Sequence, residues 1–188
     1  MSKLILASKS PRRLELLKST NIFPDIIDPA DINESIRQKE KPKFYIKRIC
    51  FEKAAKIQKK YENDIILAAD TIVSTKQKIF GKPINEDDAK KTLKYLSGRN
   101  HSVITGVCVL FKDKKKIKII VTKIKFKKLH NNEIDQYIKT NQWMDKAGSY
   151  AIQGFAERFI AKINGSYSNV VGLPLYETVN LLKSIKSF

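Results

Sequence analysis

Residues 4–13 read Leu-Ile-Leu-Ala-Ser-Lys-Ser-Pro-Arg-Arg, and this run contains the first strand-to-helix turn of the chain. Its apolar start, up to Ala7, is typical of a short buried strand. A helix is predicted to follow at once, with Ser10 as the N-cap and Pro11 at the first helical position, where the fixed φ of proline fits. The chain therefore opens with a strand, a tight turn and a helix.

Further helices are predicted along the chain from apolar spacing and from start and stop residues. The second covers about 43–60, with one apolar face. The third begins at 85, has acidic residues in its first turn and ends at 98, where a glycine stands. A short helix is predicted at 132–139, and Pro174 opens the last one.

Strand patterns lie between these helices. Residues 65–69 are all apolar and predict a buried strand that ends at Asp70. Residues 101–111 and 117–128 predict an antiparallel hairpin, with the lysine-rich run 112–116 as its loop. Early alternation of strands and helices with a hairpin in the middle predicts an α/β fold with a mixed sheet, in one domain over residues 1–188.

Composition places the chain among soluble globular proteins, with 42% hydrophobic and 30% charged residues in 188. No apolar run reaches the roughly 18 residues that cross a bilayer, and the N-terminal apolar stretch is too short for a signal-peptide core. Cys50 and Cys108 give neither a disulfide framework nor metal-ligand spacing. We therefore expect a cytoplasmic protein without a membrane partner, with both thiols reduced and buried.

The formal charge of +18 raises the question of nucleic-acid binding. The positive charge is almost all lysine and is spread through the chain, whereas base-reading proteins usually rely on the fork of arginine. Two interpretations stay open: solvated lysine faces that reflect composition, or a positive field that attracts an anionic substrate. A specific nucleic-acid partner is not expected.

Arg12 and Arg13 stand in the first turn of the first helix, where the helix dipole favours carboxylates. A capping box would have Glu or Gln at position 13. Free backbone N–H groups, two guanidinium groups and the hydroxyls of Ser8 and Ser10 would together form an anion site suited to phosphate. The alternative is a pair of surface arginines on a short helix.

Three further charged residues also break local rules. A carboxylate at the end of a buried strand, Asp70, must be paired, bind metal or take part in catalysis, unless it only caps a turn. Lys82, between a glycine and a proline, could meet a phosphate or be an ordinary loop lysine. Lys53 lies on the apolar face of the second helix and could equally extend its ammonium group to solvent.

Other polar residues carry less information. Glu34 lies in a weakly patterned polar stretch, and Gln153 could bond a base edge or merely a backbone group. The two histidines, at 101 and 130, have no triad partner in view and are predicted to be structural. Familiar motifs for P-loops, zinc proteases, nucleophile elbows and dinucleotide binding do not occur.

Five ordered blocks of the sequence resemble the Maf family of nucleoside triphosphate pyrophosphatases. The blocks lie at residues 6–17, 68–73, 81–83, 96–107, and 146–154 followed by 163–174. The resemblance covers nearly the whole chain and implies two lobes around a mixed, twisted sheet with flanking helices, as in Maf and ITPase proteins. It also implies that substrate binds in a cleft between the lobes, that Mg²⁺ or Mn²⁺ is required, and that the protein is a homodimer.

The resemblance also implies residue roles. Asp70 would be the proton acceptor, with Lys82 and Glu34 as the other catalytic residues and the metal on Glu34 and Asp70. Phosphate binding would fall to Ser8, Arg12, Arg13 and Lys53. Positions that track base choice match Arg12, Thr71 and Gln153, and their identities resemble the branch that acts on dTTP and UTP.

The expected reaction is attack of water on the α-phosphorus, which releases the nucleoside monophosphate and pyrophosphate. The competing hypothesis is a nucleotide- or nucleic-acid-binding regulator of cell division without turnover. Such a binder would not need Asp70, Glu34 and Lys82 together.

Overall fold

A mixed β-sheet forms the frame of the computed structural model, which describes residues 2–76 and 78–185. The strands are β1 Leu4–Leu6, β2 Ile26–Ile27, β3 Ile65–Ser74, β4 Ile79–Phe80, β5 Asn100–Phe111, β6 Lys114–Phe126 and β7 Ile160–Asn164. The strand order is β2-β1-β3-β5-β6-β7, and β4 pairs with β3. β1 is parallel to both β2 and β3, while β4 on β3 and β7 on β6 are antiparallel. The α/β fold with a mixed sheet is thus confirmed.

Six α-helices occur in the described residues, and five of them lie where the sequence predicts helices. The helices are α1 Pro11–Lys18, α2 Pro42–Gln58, α3 Glu86–Leu96, α4 Asn131–Lys139, α5 Tyr167–Val171 and α6 Leu175–Ile185. Proline occupies the first turn of α1 and α2, and the side chain of Asn85 caps α3 by accepting a hydrogen bond from the amide of Asp88 at 2.9 Å. None of the described helices combines the length and apolar character that membrane crossing requires.

The described residues divide into two compact units. Unit 1 comprises the described parts of 1–70, 105–120 and 172–188, and unit 2 comprises 71–104 and 121–171. The single domain over 1–188 stays a prediction, as does a substrate cleft.

The core of unit 1 lies on both faces of its strands, because successive strand residues point to opposite sides. Leu6 and Leu67 pack with α6, whereas Ile5 and Ile66 pack with α2. Helix α2 approaches β5 very closely: a Cβ added at Gly106 would lie 2.9 Å from Cys50 Sγ. Both cysteines are buried, as predicted, and burial raises the pKa of the Cys50 thiol to about 12.

The core of unit 2 is aromatic. Tyr137, Phe126 and Phe159 are its largest fully buried side chains. His101 packs edge-on against Phe126, and its Nε2 lies 2.8 Å from the hydroxyl of Tyr150. His101 is therefore a buried core residue, in agreement with the structural role that the sequence predicts.

Two boundary predictions are wrong. Strand β3 does not end at Asp70 but continues to Ser74, because Thr71, Ile72 and Val73 favour extended backbone and Val73 pairs with β4. The loop of the hairpin is only 112–113, since residues 114–116 already belong to β6. Lys115 of this strand lies over the ring of Phe51, with its Nζ 4.2 Å from the ring centroid.

Candidate functional site

Lys53 joins two carboxylates in unit 1. Its Nζ lies 2.7 Å from Asp70 Oδ1 and 2.8 Å from Glu34 Oε1. Lys53 comes from the buried face of α2 and is 8% exposed, so its ammonium group ends between carboxylates instead of in open solvent. We call Glu34, Lys53 and Asp70 the carboxylate–lysine cluster.

Each member reaches the cluster from a different local structure. Asp70 and its neighbour Thr71 are the only partly exposed residues of β3, whose other eight residues are buried. Glu34 comes from a segment without helix or strand, and its side chain is 47% exposed. A buried ammonium group is stable only when it is paired, and the two carboxylates supply that pairing. The cluster carries a net formal charge of −1.

Ser8 and Arg13 lie next to each other at the strand-to-helix turn. Arg13 Nη1 donates to Ser8 Oγ at 2.9 Å, and Arg13 Nε donates to the carbonyl oxygen of Gly172 at 2.8 Å. Burial lowers the pKa of Arg13, and the negative charges of Asp70 and Glu34 oppose that shift. The negative charges of the carboxylate–lysine cluster thus act on the guanidinium group of Arg13, which in turn bonds Ser8.

The turn before α1 is organised by Ser8. Its Oγ accepts one hydrogen bond from the backbone amide of Ser10 at 3.3 Å and another from Nη1 of the Arg13 side chain. Arg12 is partly buried in the first turn of α1, directly before Arg13. Two guanidinium groups at a helix start therefore stand where the sequence predicts them, and at least one is held by fixed partners.

The other predicted site residues belong to unit 2. The side chain of Lys82 is 59% exposed, and its Nζ lies 3.5 Å from Oδ1 of Asp145. In the same loop, the carbonyl of Gly81 accepts a hydrogen bond from the amide of Gly148. Thr71 is partly buried in β3, and Gln153 is exposed. Within unit 1 the structure brings together five of the predicted site residues: Ser8, Arg13, Glu34, Lys53 and Asp70. The predicted roles of Lys82, Thr71 and Gln153 stay predictions.

Tyr45 is a contact of the cluster that the sequence patterns did not single out. Its hydroxyl donates to the backbone carbonyl of Glu34 at 2.8 Å. Burial raises the pKa of Tyr45 to about 12, and the charges of Asp70 and Glu34 add to the shift. The available signal was its spacing on α2, eight residues before Lys53 and on the same face.

The carboxylates of the cluster fit a hard divalent cation. No group of three or more His, Cys, Asp or Glu residues that could hold a metal occurs within the described ranges. Mg²⁺ is commonly bound through one or two carboxylates together with substrate phosphates, and it does not need a complete protein cage. Glu34 and Asp70 supply that number of oxygen-bearing groups, drawn together by Lys53.

Comparison with known proteins gives consistent matches over nearly the whole chain. The family described as "Maf-like protein" matches residues 3–185. The chain is 45% identical to a protein of Caulobacter vibrioides named dTTP/UTP pyrophosphatase, over 97% of this chain and 95% of that protein. It is 47% identical to one of the same name from Rhizobium johnstonii, over 96% and 91%. A third, from Brucella abortus, is 44% identical over 96% and 90%.

A crystal structure titled as a nucleoside-triphosphatase / dITP/XTP pyrophosphatase from Mycobacterium abscessus aligns with a TM-score of 0.42 and 10% identity. The alignment covers 66% of this chain and 74% of that one.

Proposed function

This chain belongs to the family of Maf-like proteins, and from that premise we propose that it hydrolyses dTTP and UTP to the nucleoside monophosphate and pyrophosphate. The observation that carries the proposal is the carboxylate–lysine cluster with Arg13 and Ser8 beside it. The relatives named dTTP/UTP pyrophosphatase support the choice of reaction and of base.

Asp70 is the proposed proton acceptor for the attacking water. Lys53 Nζ donates a hydrogen bond to Asp70 Oδ1 at 2.7 Å, a contact that restrains the orientation of the carboxylate. A positioned carboxylate that removes one proton commonly contributes about 10²–10⁴-fold to the rate. The water that has lost its proton to Asp70 would then form a bond to the α-phosphorus, while the bond to pyrophosphate, the leaving group, breaks.

Cationic side chains would bind the triphosphate. Arg13 donates from a fixed position next to Ser8, and Arg12 precedes it at the start of α1. Fixed guanidinium groups stabilise developing phosphate charge because they need no reorientation during the reaction. We assign Lys53 and Lys82 to the same role.

Glu34 and Asp70 are the proposed metal-binding residues, with Mg²⁺ or Mn²⁺ as the cation. When bound, a divalent cation would neutralise phosphate charge and lower the pKa of a bound water. Lys53 already holds one oxygen of each carboxylate, so the same contacts keep both groups in place.

Base choice is assigned to Arg12, Thr71 and Gln153. The amide of Gln153 offers both a donor and an acceptor, which a pyrimidine edge can satisfy, and the side chain is exposed. We further propose a cytoplasmic homodimer, on the family resemblance alone.

The experiment is a panel of nucleoside triphosphates assayed for pyrophosphate release with Mg²⁺ or Mn²⁺. We expect dTTP and UTP to be hydrolysed faster than ATP and GTP. Faster hydrolysis of a purine triphosphate would contradict the base assignment. Absence of turnover together with steeply salt-dependent DNA binding would favour the alternative, a nucleic-acid-binding regulator.

The variant Asp70→Asn tests the proposed role of Asp70 as proton acceptor. It keeps the shape of the side chain while removing the negative charge that accepts the proton. We expect an intact fold by circular dichroism and a kcat lowered by at least about 100-fold. Near-normal turnover would remove Asp70 from its central role.

A further inference from the structure

The segment that carries Glu34 contains no helix or strand between Ile27 and Pro42. The amide of Asp28 still bonds the carbonyl of Leu6, and the carbonyl of Lys41 accepts the first bonds of α2, but residues 29–40 lie outside any helix or strand. The Glu34 side chain is 47% exposed, so packing alone does not hold the carboxylate 2.8 Å from Lys53. Its position must come from contacts that the neighbouring backbone makes with another element.

Helix α2 supplies those contacts from one stripe. Tyr45, Arg48, Glu52 and Lys56 follow each other at spacings of three or four residues and so share a helix face. Each of the four bonds a residue of the segment at 31–40. The bonds run from Tyr45 to the Glu34 carbonyl, from Arg48 to Ser35 and Glu40, between Glu52 and Arg37, and from Lys56 to the Asp31 carbonyl.

Arg48 makes the strongest of these contacts. Its Nε and Nη2 each lie 2.7 Å from a different carboxylate oxygen of Glu40, and Nη2 also donates to the carbonyl of Ser35 at 3.0 Å. The two side chains are only 13% and 10% exposed. The hydrogen bonds from Arg48 lower the pKa of Glu40 to about 2, so the pair stays charged across the neutral range.

The geometry of the arginine fork explains the choice of residue. A planar guanidinium binds a carboxylate through two parallel hydrogen bonds, which lysine cannot do. Arg48 therefore binds the segment at two residues: at Ser35, which directly follows Glu34, and at Glu40, five residues after Ser35. The backbone carrying Glu34 is thereby restrained on its C-terminal side.

We propose that Arg48 is a positioning residue, which acts on the reaction by holding Glu34 against Lys53. This inference rests on the proposed function, because it takes Glu34 to be part of the catalytic machinery. Arg48 itself has no role in contact with substrate. Removing it leaves Glu34 and Lys53 chemically intact but lets the segment 31–40 move away from α2.

A double-mutant cycle tests the inference. Arg48→Gln should lower kcat by about 10-fold and raise the Mg²⁺ concentration needed for half-maximal rate, as expected when a supporting partner of a ligand is lost. In an enzyme that already carries Glu34→Gln, the Arg48 change should have little further effect. Arg48→Lys, which keeps the charge, should fold normally yet recover little of the kcat.

Lys90→Gln is the matched control. Like Arg48→Gln, it removes a cation paired with two carboxylates, here Glu86 at 3.0 Å and Asp135 at 3.2 Å, but none of these three residues lies in the segment. Its kcat should equal that of the unmodified enzyme. Hydrogen exchange of the amides in 29–41 should rise in Arg48→Gln and stay unchanged in Lys90→Gln.

The outcomes separate the inference from the proposed function. Unchanged exchange in 29–41, or multiplicative losses of kcat in the cycle, would overturn the positioning role while the enzyme remains a pyrophosphatase. Loss of stability in Arg48→Gln with normal kcat per folded molecule would also overturn it. Absence of turnover in the unmodified protein would instead refute the proposed function.

Discussion

Replacing Lys53 with methionine tests whether the cluster is held together by charge. The two contacts of Lys53 Nζ, 2.7 and 2.8 Å, place an oxygen of Asp70 and an oxygen of Glu34 at most about 5.5 Å apart. Without the ammonium group, two unit charges at that distance repel by about 3 kcal/mol at an effective dielectric constant of 20. Glu34 is 47% exposed, so solvent screening reduces this to about 1–2 kcal/mol.

The free energy of unfolding of Lys53→Met should therefore fall by about 1–2 kcal/mol, which corresponds to a loss of about 2–8 °C in Tm for a chain of this size. Urea denaturation followed by circular dichroism measures it. The control is the double variant with Asp70→Asn, which removes one of the repelling charges and should regain stability. If the double variant is no more stable than Lys53→Met alone, repulsion between the carboxylates does not explain the loss.

Two further predictions concern unit 2. Burial lowers the pKa of His101 to about 4, below the 6.5 expected in the unfolded chain, so protonation favours unfolding. The free energy of unfolding should therefore fall by up to about 3 kcal/mol as the pH drops from about 6.5 to 4. Urea denaturation at a series of pH values should show this fall, and the same fall in His101→Gln would contradict the assignment to His101. Gly148→Ala should lower the free energy of unfolding by about 2–4 kcal/mol. The backbone φ of Gly148 is +71°, and an added Cβ would lie 2.6 Å from Cγ2 of Val73. At Gly81, a Cβ would have nothing within 4 Å, so Gly81→Ala is the matched control and should lose under about 1 kcal/mol in the same measurement.

Elements with their own local signals could be predicted from the sequence. Proline at the start of α1 and α2 and the Asn85 cap of α3 are such signals, because each residue satisfies or removes an orphan backbone group of its own helix. The two-residue strands β2 and β4 carry no such signal. They exist only through their pairing with β1 and β3, which the sequence pattern does not reveal.

The candidate site shows the same division. Lys53 and Asp70 stand out because a charge breaks an apolar pattern, and the structure joins them directly. Glu34 lies in a segment with no apolar period, so its place depends on Tyr45 and on the Arg48–Glu40 pair. The family resemblance, and not local pattern, is what pointed to Glu34 in advance.

The hydrogen bond from Arg13 to Gly172 spans 159 positions of the chain. The core around β1 and β3 likewise includes Leu173, Leu181 and Ile185. During synthesis on a ribosome, residues 4–70 are therefore made long before the carbonyl that holds Arg13 and the side chains that cover β1. A nascent chain lacks this arginine contact until residues 172–185 emerge, so nucleotide binding that depends on Arg13 should arise only after those residues have left the ribosome.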